Sequence, residues 1–230
     1  ITKHFYAGTG AAVKELKLDI GIGGDSTVDL GIMRALLSMQ QFKLLKDYGG
    51  DLAVRVVQQE INREYRDYTG IIPADGVYGR EMNTALIEIL QAIEGFSPDE
   101  ATGTFGPGTR GRLLTITADN AAAHPKWVWM GSVALICNGY GVVIAKGWSI
   151  GLSDYIRQFQ EKYALPQTGT LTPTTWMSLL TSKGDPNRPC EACDTRFEIT
   201  DERLAQIHEA AEKLLANTVI EAFAVRVEED

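Results

Sequence analysis

One short phrase recurs along this chain, and its recurrence at fixed internal offsets limits the possible folds more than any other feature. It stands most fully at 75–86, Asp-Gly-Val-Tyr-Gly-Arg-Glu-Met-Asn-Thr-Ala-Leu. The segment 102–113, Thr-Gly-Thr-Phe-Gly-Pro-Gly-Thr-Arg-Gly-Arg-Leu, is closest to it, followed by 168–179, Thr-Gly-Thr-Leu-Thr-Pro-Thr-Thr-Trp-Met-Ser-Leu. A worn fourth copy runs from Asp25 to Leu36. Gly76, Gly103, Gly169 and Ser26 share the first slot, and Tyr78, Phe105, Leu171 and Val28 share the apolar slot two residues on. Leu86, Leu113, Leu179 and Leu36 close the phrase. Glycine in the first slot points to a turn with positive φ. Pro107 and Pro173 stand at a first helical position, where a missing N–H costs nothing, and Thr172 stands where an N-cap belongs. The phrase reads as turn, inward side chain, helix start.

Helical spacing of apolar residues fills the intervals between copies. Ala12, Val13, Leu16 and Ile20 predict a helix over 11–22, and Ile32, Met33, Leu36 and Leu37 predict another after the turn at 21–26. These are the last two helices of a unit whose first is absent or degraded. A polar, glycine-bearing break follows at 47–51. Val54, Val57, Ile61 and Tyr65 form one stripe of an amphipathic helix, and Leu86, Ile89, Leu90 and Ile93 form the next. The third helix of this unit carries Gly108 and Gly111 and is weak on its own. Beyond a small-residue linker at 115–125 come Val128, Val133, Leu135 and Ile136, and then a loop with Gly139, Gly141 and Gly147. Leu152, Tyr155, Ile156, Phe159 and Tyr163 make another stripe, Phe159-Gln160 repeats Leu90-Gln91, and Trp176, Leu179 and Leu180 close the core. The expected fold is all-α, in units 1–48 (partial), 49–118 and 127–183, with a short mixed tail at 184–230.

Charge narrows the partners. A net charge of -8 argues against a nucleic-acid binder, which needs a basic face, and against simple adhesion to anionic lipid or wall polymer. No apolar run approaches the length that crosses a bilayer. The chain starts at Ile1 without an initiator methionine or a signal-like segment, as expected of a processed protein or a fragment.

The residues at this point carry a resemblance. An amphipathic helix with a glutamine is followed by Asp-Gly-x-Tyr-Gly-x-x-x-x-Thr-Ala-Leu, a helix with an apolar-Gln step, and Thr-Gly-x-Phe-Gly-x-x-Thr. This order resembles the peptidoglycan-binding module of bacterial wall hydrolases, covering roughly 50–182 twice over. The resemblance implies compact three-helix bundles in tandem, peptidoglycan as partner, and a secreted, cell-wall location. Leu171 and Thr172 replace the usual Phe and Gly, and the first copy lacks the glycine, so those two copies point to the fold without the groove.

The tail carries a second resemblance. Residues 184–200, from Gly184 through Cys190, Cys193 and Asp194 to Thr200, are similar to the opening of a glycoside-hydrolase-like domain of the family-25 lysozyme type. That resemblance implies a βα barrel with Asp194 lining the catalytic mouth. About 35 residues follow where a barrel needs about 200 or more. Asp201 to Leu215 reads as a charged amphipathic helix and Val219 to Val227 as one strand. Glycosidase chemistry needs two carboxylates about 5–9 Å apart. No catalytic residue is therefore assigned, and the enzyme question leans toward a non-catalytic chain.

Other chemistry is thin. His4, His124 and His208 are scattered without ligand spacing, so neither a metal nor a cofactor is expected. Cys190-x-x-Cys193 is half a zinc site, a redox pair or a disulfide, and Cys137 is a buried thiol on an apolar helix. A wall ligand would lie beside the phrase at 75–86, where Tyr78, Arg80 and Asn83 meet the preceding helix. Arg55 and Gln58, about one turn apart on that helix, are the expected donors to a stem-peptide carboxylate. Against this, Tyr78 reads more readily as core and Arg55 as solvated. Three functions stay open: non-catalytic binding of wall peptidoglycan that targets a hydrolase, the front of a lysozyme-like hydrolase, or helical modules for protein–protein assembly, self-association included.

Overall fold

The computed structural model describes residues 4–181, so the expected tail, with Asp194, Cys190, Cys193 and His208, lies outside the described residues. Nine α-helices follow in chain order: α1 Ala7–Ile20, α2 Leu30–Leu37, α3 Leu52–Glu64, α4 Arg66–Thr69, α5 Arg80–Ile93, α6 Pro107–Arg110, α7 Pro125–Cys137, α8 Ile150–Lys162 and α9 Pro173–Thr181. Among the described residues the extended pairing is one isolated antiparallel bridge, Ile116 with Leu171. The all-α expectation holds. Caps fix the helix starts: Asp51 accepts from Ala53 N and Val54 N, Asp29 from Ile32 N, and Ser149 from Leu152 N.

The first slot of the phrase behaves as the turn requires. Gly76, Gly103 and Gly169 have φ of 82°, 66° and 67°, a left-handed conformation that disfavours a Cβ. What holds each turn is a buried glutamine on an earlier helix. Gln58 Oε1 accepts Gly76 N at 2.7 Å while Nε2 donates to Val77 O at 3.1 Å and Asp75 Oδ1 at 2.9 Å. Gln91 accepts Gly103 N at 3.0 Å and donates to Thr104 O and Thr109 Oγ1. Gln160 accepts Gly169 N at 2.9 Å and donates to Thr170 O, Thr168 Oγ1 and Thr175 Oγ1. A buried primary amide satisfies a turn N–H and the next C=O at once, which no apolar side chain can do. In the first copy Lys17 takes this place, 8% exposed, with Nζ on Asp25 Oδ1 at 2.6 Å. Lysine has no acceptor to offer the N–H of the first slot; Asp25 accepts Thr27 N, as Asp75 accepts Val77 N in the second copy, and Ser26 stays out of the left-handed region.

Helix α7 explains how the segments combine. Every residue from Trp127 to Cys137 is buried, and a helix apolar all round must be central. Helices α3, α5, α8 and α9 pack around it. One hydrophobic core consequently runs from Val54 to Leu180, across the 115–125 linker. Further ties cross the same linker: Trp129 Nε1 donates to Glu60 Oε1 at 2.9 Å, and Trp176 Nε1 to Leu114 O at 2.9 Å. Segments 49–118 and 127–181 thus share one interior.

The first copy is finished differently. Met33, Leu36 and Leu37 occupy the slots of Trp176, Leu179 and Leu180. The α9 residues are fully buried, whereas those on α2 are 45%, 45% and 77% exposed. Helix α7 covers α9, and Trp127 meets Trp176 edge-on at 5.5 Å. No described helix does the same for α2.

Candidate functional site

The phrase at 75–86 puts the start of α5 against the side of α3. Gly79, extended at φ -115°, is the N-cap of α5. Arg80, the first residue of that helix, is exposed. It lines two adjoining depressions. One, of about 230 Å³, runs over Gln58, Ile72, Asp75 and Val77, and the other, of about 360 Å³, over Thr69, Thr84 and Glu88. Glu81 lines both and accepts from Gln40 Nε2 at 3.1 Å. Burial pushes the Glu81 carboxyl above its ordinary value, the Gln40 hydrogen bond opposes this, and the Asp75 charge adds to it. Burial also raises Glu88. The groove is therefore a shallow acidic trough with one guanidinium in it. Among the described residues Arg80 forms no ion pair.

The five expected ligand residues separate into three kinds. Arg55 is occupied by the fold: Nε donates to Ala74 O at 2.9 Å, and Nη2 to Phe42 O at 3.0 Å and Asp19 Oδ1 at 3.1 Å. It ties α1 and the 42-loop to the segment before the phrase. Gln58 is 1% exposed and spent on its clamp. Tyr78 and Asn83 bind one another, the phenol donating to Asn83 Oδ1 at 2.7 Å, and the ring packs on the core. Burial drives the Tyr78 phenol far up, so it is neutral across the physiological range. Arg80 alone offers its donors outward. Arg55 and Gln58 are thus brought beside the phrase as expected, with their donors turned to the protein itself.

No group of three or more His, Cys, Asp or Glu that could hold a metal occurs among the described residues. Cys137 is buried in α7. No described helix is long and apolar enough to cross a membrane.

Beyond the groove, Glu94 at the end of α5 has both carboxylate oxygens buried without a hydrogen-bond partner. Burial raises its carboxyl from 4.5 to about 7, with the Arg112 charge pulling the other way. The folded state then holds this proton more tightly than the unfolded chain does. Its destabilising effect is absent below about pH 4.5 and complete above about pH 7, so stability falls as pH rises through that window. Glu94→Gln is expected to add about 1–2 kcal/mol at about pH 8, allowing for solvent screening, and nothing at about pH 4. Thermal melts of both chains at the two pH values check this.

A separate depression, between α3 and α7, carries no local sequence signal. Its floor is Tyr65 stacked on Trp129, and the two are brought together only by α7 becoming the shared central helix.

With this geometry in place, the family is clear. A family model described as "FadG/YbfG, PGDB-like domain", a peptidoglycan-binding-like family, matches residues 47–180. The chain belongs to that family, and the match runs through both phrase-bearing segments and their linker as one domain. It is 42% identical over 207 residues to the uncharacterized protein YbfG of Bacillus subtilis (strain 168), covering 88% of this chain and 28% of that protein. It is 33% identical over 225 residues to the uncharacterized protein FadG of the same strain, covering 96% of this chain and 39% of that protein. The chain therefore spans well under half the length of either relative. No solved structure matches it significantly.

Proposed function

We propose that this domain binds bacterial cell-wall peptidoglycan without acting on it chemically, and holds the polypeptide that carries it at the wall. The observation that carries this reading is the family match over residues 47–180. The groove at the head of α5 supports it: Arg80 is outward and unpaired, suited to a carboxylate of the wall peptide, and the walls supply Asp75, Glu81 and Thr84 for polar contacts. Residues 75–86 and their partner helix α3 form the complete copy of the phrase. A location outside the cell, at the wall, goes with this function, as does a hydrolase elsewhere in the same polypeptide or assembly.

The test is co-sedimentation with purified, insoluble sacculi. The parent chain is expected in the pellet. Arg80→Glu is expected to weaken retention about tenfold or more, since a charge-assisted hydrogen bond contributes about 1.5–3 kcal/mol. Its circular dichroism should match the parent, because Arg80 makes no tie within the fold. Unchanged retention of Arg80→Glu would remove the groove from the reading, and a parent chain that stays in the supernatant would remove the reading itself.

A further inference from the structure

The depression between α3 and α7 shares no residue with the groove at Arg80. It holds about 320 Å³, within the size range of small-ligand sites. Its floor is rigid. Tyr65 and Trp129 stack with centroids 5.3 Å apart and planes 27° apart, and the indole N–H is fixed on Glu60 Oε1 at 2.9 Å. Tyr65 stays accessible while Trp129 is 2% exposed, so the tyrosine presents the face and the tryptophan sets its angle. Burial raises the Tyr65 phenol, and the Glu60 and Glu64 charges raise it further, as expected where both carboxylates face the ring.

The charges around this floor are of both signs and are not spent on each other. Glu60 and Glu64 stand one turn apart on α3, while Lys126 comes from the first turn of α7 and Lys146 from the loop before α8. Neither lysine forms an ion pair among the described residues, and Glu64 pairs only with its neighbour Arg63, at an exposed site. Carboxylates and ammonium groups that line one pocket without pairing leave room for a molecule that carries both charges itself.

We propose that this pocket binds a short zwitterionic peptide, with its ammonium group at Glu60 and Glu64, its carboxylate at Lys126 and Lys146, and its body on the Tyr65 ring. Resting on the wall-binding reading, this assigns the stem peptide of peptidoglycan as the ligand in preference to the glycan. The amino-sugar strand is largely uncharged, whereas a stem peptide places a free ammonium and free carboxylates within a few bonds of each other.

The experiment titrates the full chain with the tripeptide alanyl-γ-glutamyl-lysine and follows tryptophan indole N–H signals by NMR. The Trp129 indole should shift and saturate, with those of Trp127 and Trp176 unmoved. A Lys126→Glu, Lys146→Glu chain should bind about tenfold more weakly or worse, with an unchanged fold because both lysines are exposed. The same tripeptide with its lysine acetylated should also bind more weakly. A saturating tripeptide that leaves Trp129 unmoved, equal binding by the double variant, or a shift driven instead by an N-acetylglucosamine disaccharide would each overturn the assignment. Sedimentation with sacculi on the same samples separates the failures. Retained chain with a silent Trp129 overturns this pocket and leaves wall binding standing, whereas loss of both overturns the earlier reading too.

Discussion

A Gln160→Leu chain is expected to be about 3 kcal/mol less stable than the parent, read from the urea midpoint at constant slope. The side chain is fully buried. Its oxygen accepts Gly169 N at 2.9 Å, and its two N–H groups are shared among Thr170 O, Thr168 Oγ1 and Thr175 Oγ1 at 2.9–3.1 Å. Leucine of similar volume leaves no large cavity, so the loss comes from hydrogen bonding. It strands the buried Gly169 N–H, at about 1–3 kcal/mol, and removes the hydrogen bonds to Thr168 Oγ1, Thr175 Oγ1 and Thr170 O, the last of which keeps Thr172 N as a donor at 3.1 Å. Gln160→Glu separates the two halves of the clamp. It keeps the acceptor for Gly169 and, while protonated, one donor in place of two, so it should fall below the parent and drop further as its carboxyl ionises and that donor is lost.

Gly76→Ala is the second large effect, expected at about 2–4 kcal/mol. At φ 82° an L side chain is strained whatever the space around it. A Cβ here would also stand 2.5 Å from Asp51 O and 2.9 Å from Asp51 N, backbone atoms that cannot swing aside. Asp51 caps α3, and its N–H is held by Gly76 O at 2.9 Å, so a displaced turn would also disturb the start of that helix. Gly151→Ala gives the opposite sign. That glycine is exposed in the first turn of α8, has no positive φ and has nothing closer than 3.9 Å, so alanine should add a few tenths of a kcal/mol, up to about 1. Chemical denaturation of the pair distinguishes a strained, crowded glycine from one that only loosens a helix.

Much of the architecture was legible because it is local. Positive φ at Gly76, Gly103 and Gly169, prolines opening α6 and α9, and Thr172 accepting from Thr175 N at 3.2 Å all follow from single residues and their neighbours. The clamp was half legible. The apolar-Gln step repeats, yet the turn it holds lies 18, 12 or 9 residues away, so no fixed offset links the two. An amide able to hold a backbone turn is also able to hold a ligand, which is why Gln58 reads as a site residue in the sequence and as a strut in the structure. Helix α7 was under-read for another reason. Val128, Val133, Leu135 and Ile136 suggest one buried face, while Trp127, Trp129 and Met130 serve the other sides once α3 and α5 are present. Tyr65 and Trp129, from different segments, could not be paired before that helix became shared.

The repeated clamps share one hydrophobic interior with α7 as its axis and are expected to unfold as one cooperative unit. Native-state hydrogen exchange at the amides of Gly76 and Gly169 tests it most directly, since each is donated to a buried glutamine oxygen, one on either side of the linker. Both should open with the same free energy, equal to that of global unfolding, and with the same dependence on denaturant. A Gly76 amide that opens at its own lower free energy while Gly169 stays protected would instead show two independently unfolding modules.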